Sequence, residues 1–162
     1  MAKKINPVPF VVAVALAVVL QLALIGADCT ETPTKIARSF AEDYYYFDPD
    51  MRNLVCKALT DQGAVDNFLY RKSQQAHELG FTIKYLRKKF TELHVDLIKS
   101  DDKSATVRLE GTTRVCIYPP FMIIGQLFRI GRNYPVDKTI DLVKENGRWR
   151  VCGHPFGPHQ PV

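Results

Sequence analysis

A histidine flanked by two carboxylates is the sharpest chemical pattern in this sequence. Glu92, His94 and Asp96 alternate with apolar residues, and this period of two places them on one face of a predicted strand. Carboxylates on both sides stabilise an imidazolium, an arrangement that could poise His94 as a catalytic base. We favour a simpler interpretation, in which the apolar row packs against helices and His94 lies among ion pairs on the outer, wet face.

The strand that carries this histidine is predicted to form a hairpin with the next one. Both segments have an apolar row, and burying the two rows on one face sets the cross-strand pairs. These pairs are Leu97 with Val107, Val95 with Leu109, Asp96 with Arg108, and His94 with Glu110. The same register leaves a three-residue loop at 101–103, which is a common length for a hairpin.

A second hairpin is predicted near the end of the chain. Asn146 and Gly147 form the strongest two-residue turn signal in the sequence, between a strand predicted at Asp137–Glu145 and a return strand. This turn pairs Leu142 with Val151 and Lys144 with Trp149.

The helical elements are predicted to come first. Thr32 followed by proline is a helix start, and apolar residues at helical spacing extend that helix to Phe47. Asp50 is expected to cap a second, shorter helix, and a third helix is predicted over Ala64–Leu79. Helices followed by an antiparallel meander predict an α+β fold in which the helices pack on one face of a curved sheet.

Four cysteines raise the question of disulfides: Cys29, Cys56, Cys116 and Cys152. An even number in an exported chain permits bonds, and four cysteines allow three pairings. A meander puts a strand between Cys116 and Cys152, so a bond of Cys29 or Cys56 with one of them remains open. The spacing matches no zinc site, and we expect neither a metal nor a cofactor.

The distribution of charge along the sequence argues against a nucleic-acid partner. The 162 residues carry 22 basic and 17 acidic side chains, a net charge of +5. The excess is dispersed, without the arginine stripe or interleaved aromatics of a nucleic-acid binder. The densest basic patch is interpreted as a solvated face: Lys84, Arg87, Lys88 and Lys89.

The first apolar segment decides the predicted location. Val8–Ala27 has the length and composition of a membrane-spanning helix, and Lys3 and Lys4 precede it. We expect an anchor, with a cleaved signal as the alternative and lipidation of Cys29 as a third one. The chain then divides into an anchor or signal segment (1–27), a linker (28–32), an exported domain (33–153) and a flexible tail (154–162).

An apolar run between the two hairpins is the predicted partner or ligand surface. The run extends from Phe121 to Ile130 and either packs over the domain or forms an exposed contact for a protein, a second copy or a membrane. Its candidate contact residues are Phe121, Met122, Ile124, Leu127 and Phe128.

Two segments together resemble a known family. The helix IARSFAEDY at Ile36–Tyr44 and the hairpin LVKENGRWRV at Leu142–Val151 resemble the nuclear transport factor two-like superfamily, whose exported bacterial members close on a similar hairpin. The resemblance covers roughly residues 33–153 and implies a cone-like α+β barrel. It also implies a domain on the periplasmic side of a bacterial inner membrane.

The family's enzymes, which resemble ketosteroid isomerase or dehydratases, place an acid or base and a hydrogen-bond donor inside the cone. The resemblance therefore adds Asp43 and Tyr44 to His94 as candidate catalytic residues. Because the superfamily also contains domains without chemistry, fold alone does not decide function. We predict a membrane-tethered, non-catalytic binding or assembly domain, and the alternative is an enzyme or a binder of a small apolar ligand in the cone.

Overall fold

The computed structural model of the protein describes residues 12–21, 31–115 and 132–157. The chain divides into two units, Met1–Glu31 and Thr32–Val162, and each is described by itself. In the first unit, residues 12–21 form a helix, α1, whose side chains are exposed. The rest of the predicted Val8–Ala27 segment lies outside the described residues. Nowhere in the described ranges is a helix long and apolar enough to cross a membrane.

The second unit begins with helix α2, Pro33–Tyr46. The Thr32 hydroxyl accepts a hydrogen bond from the Lys35 amide at 3.3 Å, as expected of a capping residue. Phe47 closes the helix in the left-handed conformation, with a φ of 56°. Ile36, Phe40 and Tyr44 lie on the buried face, so the predicted helix and its apolar stripe are confirmed.

The second predicted helix is wrong in detail, because two short elements replace it. The first is a 3₁₀ helix at Pro49–Leu54. Asp48 caps it, not Asp50, because the Asp48 side chain accepts a hydrogen bond from the Asp50 amide at 3.0 Å. Helix α3, Lys57–Asp61, follows, and α4 spans Ala64–Glu78 as predicted to within one residue. A second 3₁₀ helix at Ile83–Leu86 leads into the sheet.

Four antiparallel strands form one open sheet in the order β1-β2-β3-β4. The strands are β1 (Lys88–Ser100), β2 (Ser104–Val115), β3 (Asn133–Glu145) and β4 (Arg148–Cys152). The mixed α+β architecture with an antiparallel meander is therefore confirmed. The strand predicted at Asp137–Glu145 begins four residues earlier, and this extension brings Tyr134 and Val136 onto the sheet.

Both predicted hairpin registers are confirmed. Leu97 faces Val107 and His94 faces Glu110, with the chain turning at 101–103. In the second hairpin, Leu142 faces Val151 across the sheet. Asn146 and Gly147 both have positive φ, 51° and 80°, which is the conformation of a type I′ turn.

One face of the sheet packs against the helices and forms the apolar core. The inner rows of β2 and β3 supply Val107, Leu109 and Leu142, all at most 2% exposed. Phe40 of α2 and Phe68 of α4 cover this face. The core fills the half of the sheet near β4, where Trp149 and Val151 are also buried.

A disulfide between Cys56 and Cys152 joins the helical segment to the last strand. The Cys56 amide also donates to the Val151 carbonyl oxygen at 2.9 Å, so the backbones are already adjacent. The structure thus decides a pairing that the sequence left open. Cys29 and Cys116 lie outside the described residues.

The first part of the predicted flexible tail is packed. Pro155 is buried, and the ring of Phe156 lies 5.9 Å from that of Phe40 and 5.1 Å from that of Phe68, between ring centroids. The chain after β4 therefore returns to the helices and closes the aromatic part of the core. Residues 158–162 lie outside the described part of the chain.

Candidate ligand-binding cavity

A cavity of about 840 Å³ lies within the second unit, at the end of the sheet away from Trp149. A volume in this range is typical of small-molecule sites. Helices α2 and α4 form one wall, the inner face of the sheet forms the other, and the second 3₁₀ helix closes one side. The described residues that line it are Tyr44, Tyr45, Phe47, Phe68, Lys72, Gln75, Leu79, Tyr85, Leu86, Lys88, Thr113, Val115, Tyr134, Pro135, Val136, Asp137, Lys138, His154 and Gly157.

Aromatic rings make up the deep wall of the cavity. Tyr44 and Phe68 stack with their centroids 4.8 Å apart, and Phe156 packs behind both. Tyr45 meets Tyr44 edge to face at 5.1 Å. Tyr44 and Phe68 are 5% and 1% exposed, so the stacked rings form a rigid apolar backing to the cavity, which suits an apolar or aromatic ligand.

Three lysines bring positive charge to the same cavity. Lys72 comes from α4, Lys88 from the start of β1 and Lys138 from β3. Burial lowers the pKa of all three ammonium groups, and the nearby charge of Lys72 lowers that of Lys88 further. The site therefore combines an apolar wall with a cationic rim.

Each lysine contacts a neutral group of the protein. The Lys72 ammonium donates to the side-chain oxygen of Gln75 at 3.0 Å. The Lys88 ammonium lies 4.0 Å from the ring centroid of Tyr134. Lys138 lies 4.6 Å from the ring centroid of Tyr44 and donates to the Pro155 carbonyl oxygen at 2.5 Å.

Thr113 is the buried polar residue among the described core positions, with no exposed surface. Its hydroxyl donates to the Tyr134 carbonyl oxygen at 3.3 Å across the β2–β3 pair. The hydroxyl is therefore satisfied within the sheet, and Thr113 contributes shape and a methyl group to the cavity wall.

The three catalytic candidates are not brought together. Tyr44 lies on the cavity wall, and Asp43, its neighbour on the helix, is not among the lining residues. Burial, reinforced by the charges of Asp48, Asp50 and Glu42, raises the pKa of Asp43 to about 6. His94 is exposed on the opposite face of β1.

The outer face around His94 carries an ion-pair network. Arg108 donates to the carboxylate of Asp137 at 3.0 and 2.7 Å and lies 2.8 Å from a carboxylate oxygen of Glu110. Asp96 faces Arg108 in the strand register, but the ion pairs of Arg108 are formed with Asp137 and Glu110. These are solvent-exposed pairs of the kind predicted for this face.

The predicted contact run from Phe121 to Ile130, including Phe121, Met122, Ile124, Leu127 and Phe128, lies outside the described residues. For the described residues, no group of three or more histidine, cysteine or acidic side chains could hold a metal ion.

Sequence reasoning missed the lysines, although one of them leaves a signal. The inner row of β3 reads Tyr134, Val136, Lys138, Ile140 and Leu142, so a charged residue interrupts an apolar row. A strand predicted to start at Asp137 leaves out Tyr134 and Val136, so the apolar row on either side of Lys138 is not apparent. The sequence predicts that Lys88 belongs to a solvated patch, whereas in the structure Lys88 lies opposite Val115 and lines the cavity.

Comparisons of the chain with protein-family models, with curated proteins and with solved structures find no match.

Proposed function

We propose that this chain is an exported, membrane-tethered binding domain whose cavity takes a small, largely apolar molecule. The observation that carries the proposal is the cavity of about 840 Å³ between the helices and the sheet. A core of this size could have closed over that space with apolar side chains, as it does around Trp149. Space lined by stacked rings and a few polar groups is the usual form of a ligand site.

Export is supported by two independent features. The Cys56–Cys152 disulfide is a bond that persists in oxidising compartments such as the bacterial periplasm. The N-terminal segment Val8–Ala27 and the lysines before it have the composition of an anchor with a cytoplasmic N-terminus. Tethering at the bacterial inner membrane, with the domain on the periplasmic side, is the location that we propose.

Membership of the nuclear transport factor two-like superfamily remains part of the proposal. It is supported by the two resembling segments and by the order of the elements, helices first and an antiparallel meander after them. In that proposal the sheet and helices form the cone, and the cavity is its open end.

Two alternatives remain as hypotheses. An isomerase- or dehydratase-like enzyme would use a proton-transferring group inside the cavity. Tyr44 meets that requirement of position, whereas Asp43 and His94 do not. An assembly domain would use the run at 121–130 as a contact with a protein partner or a second copy. The geometry of the described residues favours binding, because it supplies the cavity itself.

Native mass spectrometry of the full chain tests this function. We expect gentle ionisation to show a small molecule bound in one-to-one ratio, and collisional activation to release it. Val136→Phe fills the cavity, because Val136 is a buried lining residue. Thr139→Phe is the control, since Thr139 is exposed on the outer face of the same strand.

The variant at 136 should lose the bound molecule and the variant at 139 should keep it. A wild-type chain that carries no ligand and also fails to bind any of three added naphthyl probes, one anionic, one neutral and one cationic, would contradict the proposal. Retention of the molecule by Val136→Phe would place the ligand elsewhere.

A further inference from the structure

The cationic groups of the cavity come from separate elements and converge on one space. Lys72 lies one turn after Phe68 on the inward face of α4, and Lys88 lies at the start of β1. Lys138 lies in the middle of β3, between the buried residues Val136 and Ile140. Three elements thus turn an ammonium group toward the same cavity.

These positions are costly for a lysine. A charged group loses hydration when it is buried, and the cost is recovered only if an opposite charge or good hydrogen bonds replace the water. The lowered pKa of each lysine reflects that loss. An apolar side chain at 138 would extend the core without this cost.

In the part of the chain that the structure describes, we find no carboxylate that is free to compensate these lysines. Among the described residues, none of the three lysines forms an ion pair with a carboxylate. Asp137 borders the cavity, but Arg108 holds its carboxylate with two hydrogen bonds on the outer face. The connection from β2 to β3, residues 116–131, contains no aspartate or glutamate in its sequence.

We propose that the ligand is an organic anion, an apolar or aromatic body with one carboxylate-like head that Lys72, Lys88 and Lys138 hold. This inference rests on the proposed ligand-binding function and specifies its ligand. The aromatic and apolar lining of the cavity contacts the body, and the ammonium groups supply charge-assisted hydrogen bonds to the head.

Cationic and neutral ligands fit the same cavity less well. The rings of Tyr44 and Tyr134 already contact the ammonium groups of Lys138 and Lys88, so a ligand cation would meet like charge at these rings. A neutral ligand would displace water from the ammonium groups and return no charge. Of the three classes of ligand, an anion supplies the charge that the described part of the chain does not provide for these lysines.

Three probes with one aromatic body test the charge of the head. Naphthylacetate, naphthylethanol and naphthylethylamine are anionic, neutral and cationic, respectively. Their binding to the full chain in neutral-lipid nanodiscs is measured by calorimetry, with empty nanodiscs as the blank. We expect naphthylacetate to bind at least roughly tenfold more tightly than naphthylethanol, since hydrogen bonds to charged groups contribute at least that factor. Naphthylethylamine should bind most weakly.

Variants assign the preference to the lysines. Lys88→Met and Lys138→Met keep an unbranched side chain, one atom shorter than lysine, and remove its charge. Each should weaken the binding of naphthylacetate roughly tenfold and change the binding of naphthylethanol by no more than about twofold. Lys89→Met is the matched control, because Lys89 follows Lys88 on the same strand but is exposed. The neutral probe also reports that each variant is folded.

The outcomes separate the two proposals. Equal binding of the acid and the alcohol would overturn the anion inference and leave the cavity as a ligand site. Absence of binding by all three probes would overturn both. A preference for the acid that survives both lysine variants would show that another part of the chain recognises the anion, against the inference.

The source of the anion is tested by changing the lipid. If a membrane lipid fills the cavity, nanodiscs that contain an anionic phospholipid should weaken the binding of naphthylacetate, because the lipid competes for the same site. Unchanged binding would exclude that lipid as the occupant and favour a water-soluble acid. Under either outcome, the proposed ligand is an anion that the same lysines hold.

Discussion

Asp43 lies in the last turn of α2, half-buried and close to three other carboxyl groups. Burial acts first and the charges of Asp48, Asp50 and Glu42 act after it, so the pKa of Asp43 rises to about 6. The last turn of a helix also disfavours negative charge, since its free carbonyl groups point there. Compared with the unfolded chain, the folded chain therefore holds the proton of Asp43 to a higher pH, up to about 6.

This preference predicts how stability depends on pH. The folded state holds the Asp43 proton more tightly than the unfolded state, whose carboxyl has a pKa of about 4. Its stabilising contribution is complete below pH 4 and is lost as the pH rises through about 6. In a fully shielded group this shift would correspond to about 3 kcal/mol, and half-exposure reduces it to on the order of 1 kcal/mol.

Asp43→Asn should therefore raise the free energy of unfolding at pH 7.5 by on the order of 1 kcal/mol and flatten its pH dependence between 4 and 6. Urea unfolding of wild type and variant across this range measures both. Glu78→Gln is the control, because this exposed carboxyl is not among the groups that act on Asp43. Parallel pH profiles for wild type and Asp43→Asn would contradict the assignment.

At the scale of the elements, the pairing of β1 with β2 leaves no room for a side chain at Gly111. Thr91 forms a bulge in β1, and the register shifts between Phe90 and Glu92. A Cβ atom at Gly111 would lie 2.4 Å from the Glu92 carbonyl oxygen and 3.2 Å from the Phe90 ring. The bulge and the glycine thus let the strands bend together where the sheet approaches the cavity.

Gly111→Ala is expected to destabilise the protein by about 1–3 kcal/mol, because the backbone of β1 must move to accept the methyl group. Hydrogen exchange should show the loss of protection in β1 around Leu93. Gly147→Ala provides the comparison, since its added Cβ meets nothing within 4 Å and only the positive φ of 80° is strained.

Gly147→Ala should lower the free energy of unfolding by about 1–2 kcal/mol and reduce hydrogen-exchange protection in β3 and β4 rather than in β1. If Gly111→Ala unfolds at the same urea concentration as wild type, the claim that the strands leave no room for a methyl group at this position is wrong. If both variants lose protection in the same region, the two hairpins are not separately stabilised.

At the scale of the whole molecule, the Cys56–Cys152 bond joins residues 96 positions apart. It connects the segment before α3 to the last strand and so closes a loop that contains α4 and the first three strands. Constraining so long a loop removes many unfolded conformations, which stabilises the folded state by about 2–5 kcal/mol. The same bond connects the fold to the proposed location, because disulfides form and persist in oxidising compartments.

We expect the bond to form when the full chain is made in bacteria and to be absent when residues 1–27 are deleted and the chain stays in the cytoplasm. Thiol alkylation before cell lysis and peptide mapping distinguish the two. Replacing Cys56 and Cys152 together by alanine should lower the free energy of unfolding by about 2–5 kcal/mol.

The reductant dithiothreitol supplies the internal control. It should lower the stability of the wild-type chain toward that of the double variant and leave the double variant unchanged. Equal stability of oxidised wild type and double variant would show that the bond does not constrain the unfolded chain as proposed.

Local patterns in the sequence are sufficient to predict the hairpins and most of the helices. Alternation over Leu93–Leu97 and Ala105–Leu109 specified a register, because a slip of one residue would expose both apolar rows. Asn146 and Gly147 specified the second turn, because few other residues adopt positive φ at adjacent positions. The sequence did not predict that Asp48 caps the first 3₁₀ helix. Asp48 and Asp50 are both suitable capping residues, and only the structure shows that the Asp48 carboxylate accepts the hydrogen bond from the Asp50 amide.

The cavity and the disulfide were decided by tertiary structure alone. Nothing in the local sequence of Lys72, Lys88 or Lys138 states that their side chains meet, because α4, β1 and β3 are brought together only by packing. Likewise, the sequence allowed more than one partner for Cys56, and the structure places Cys152 at bonding distance, with the two Cα atoms 5.4 Å apart. What the sequence by itself determined is therefore the set of elements and their pairing, which short-range periodicity controls. The position and charge of the site came from contacts between residues far apart in the chain.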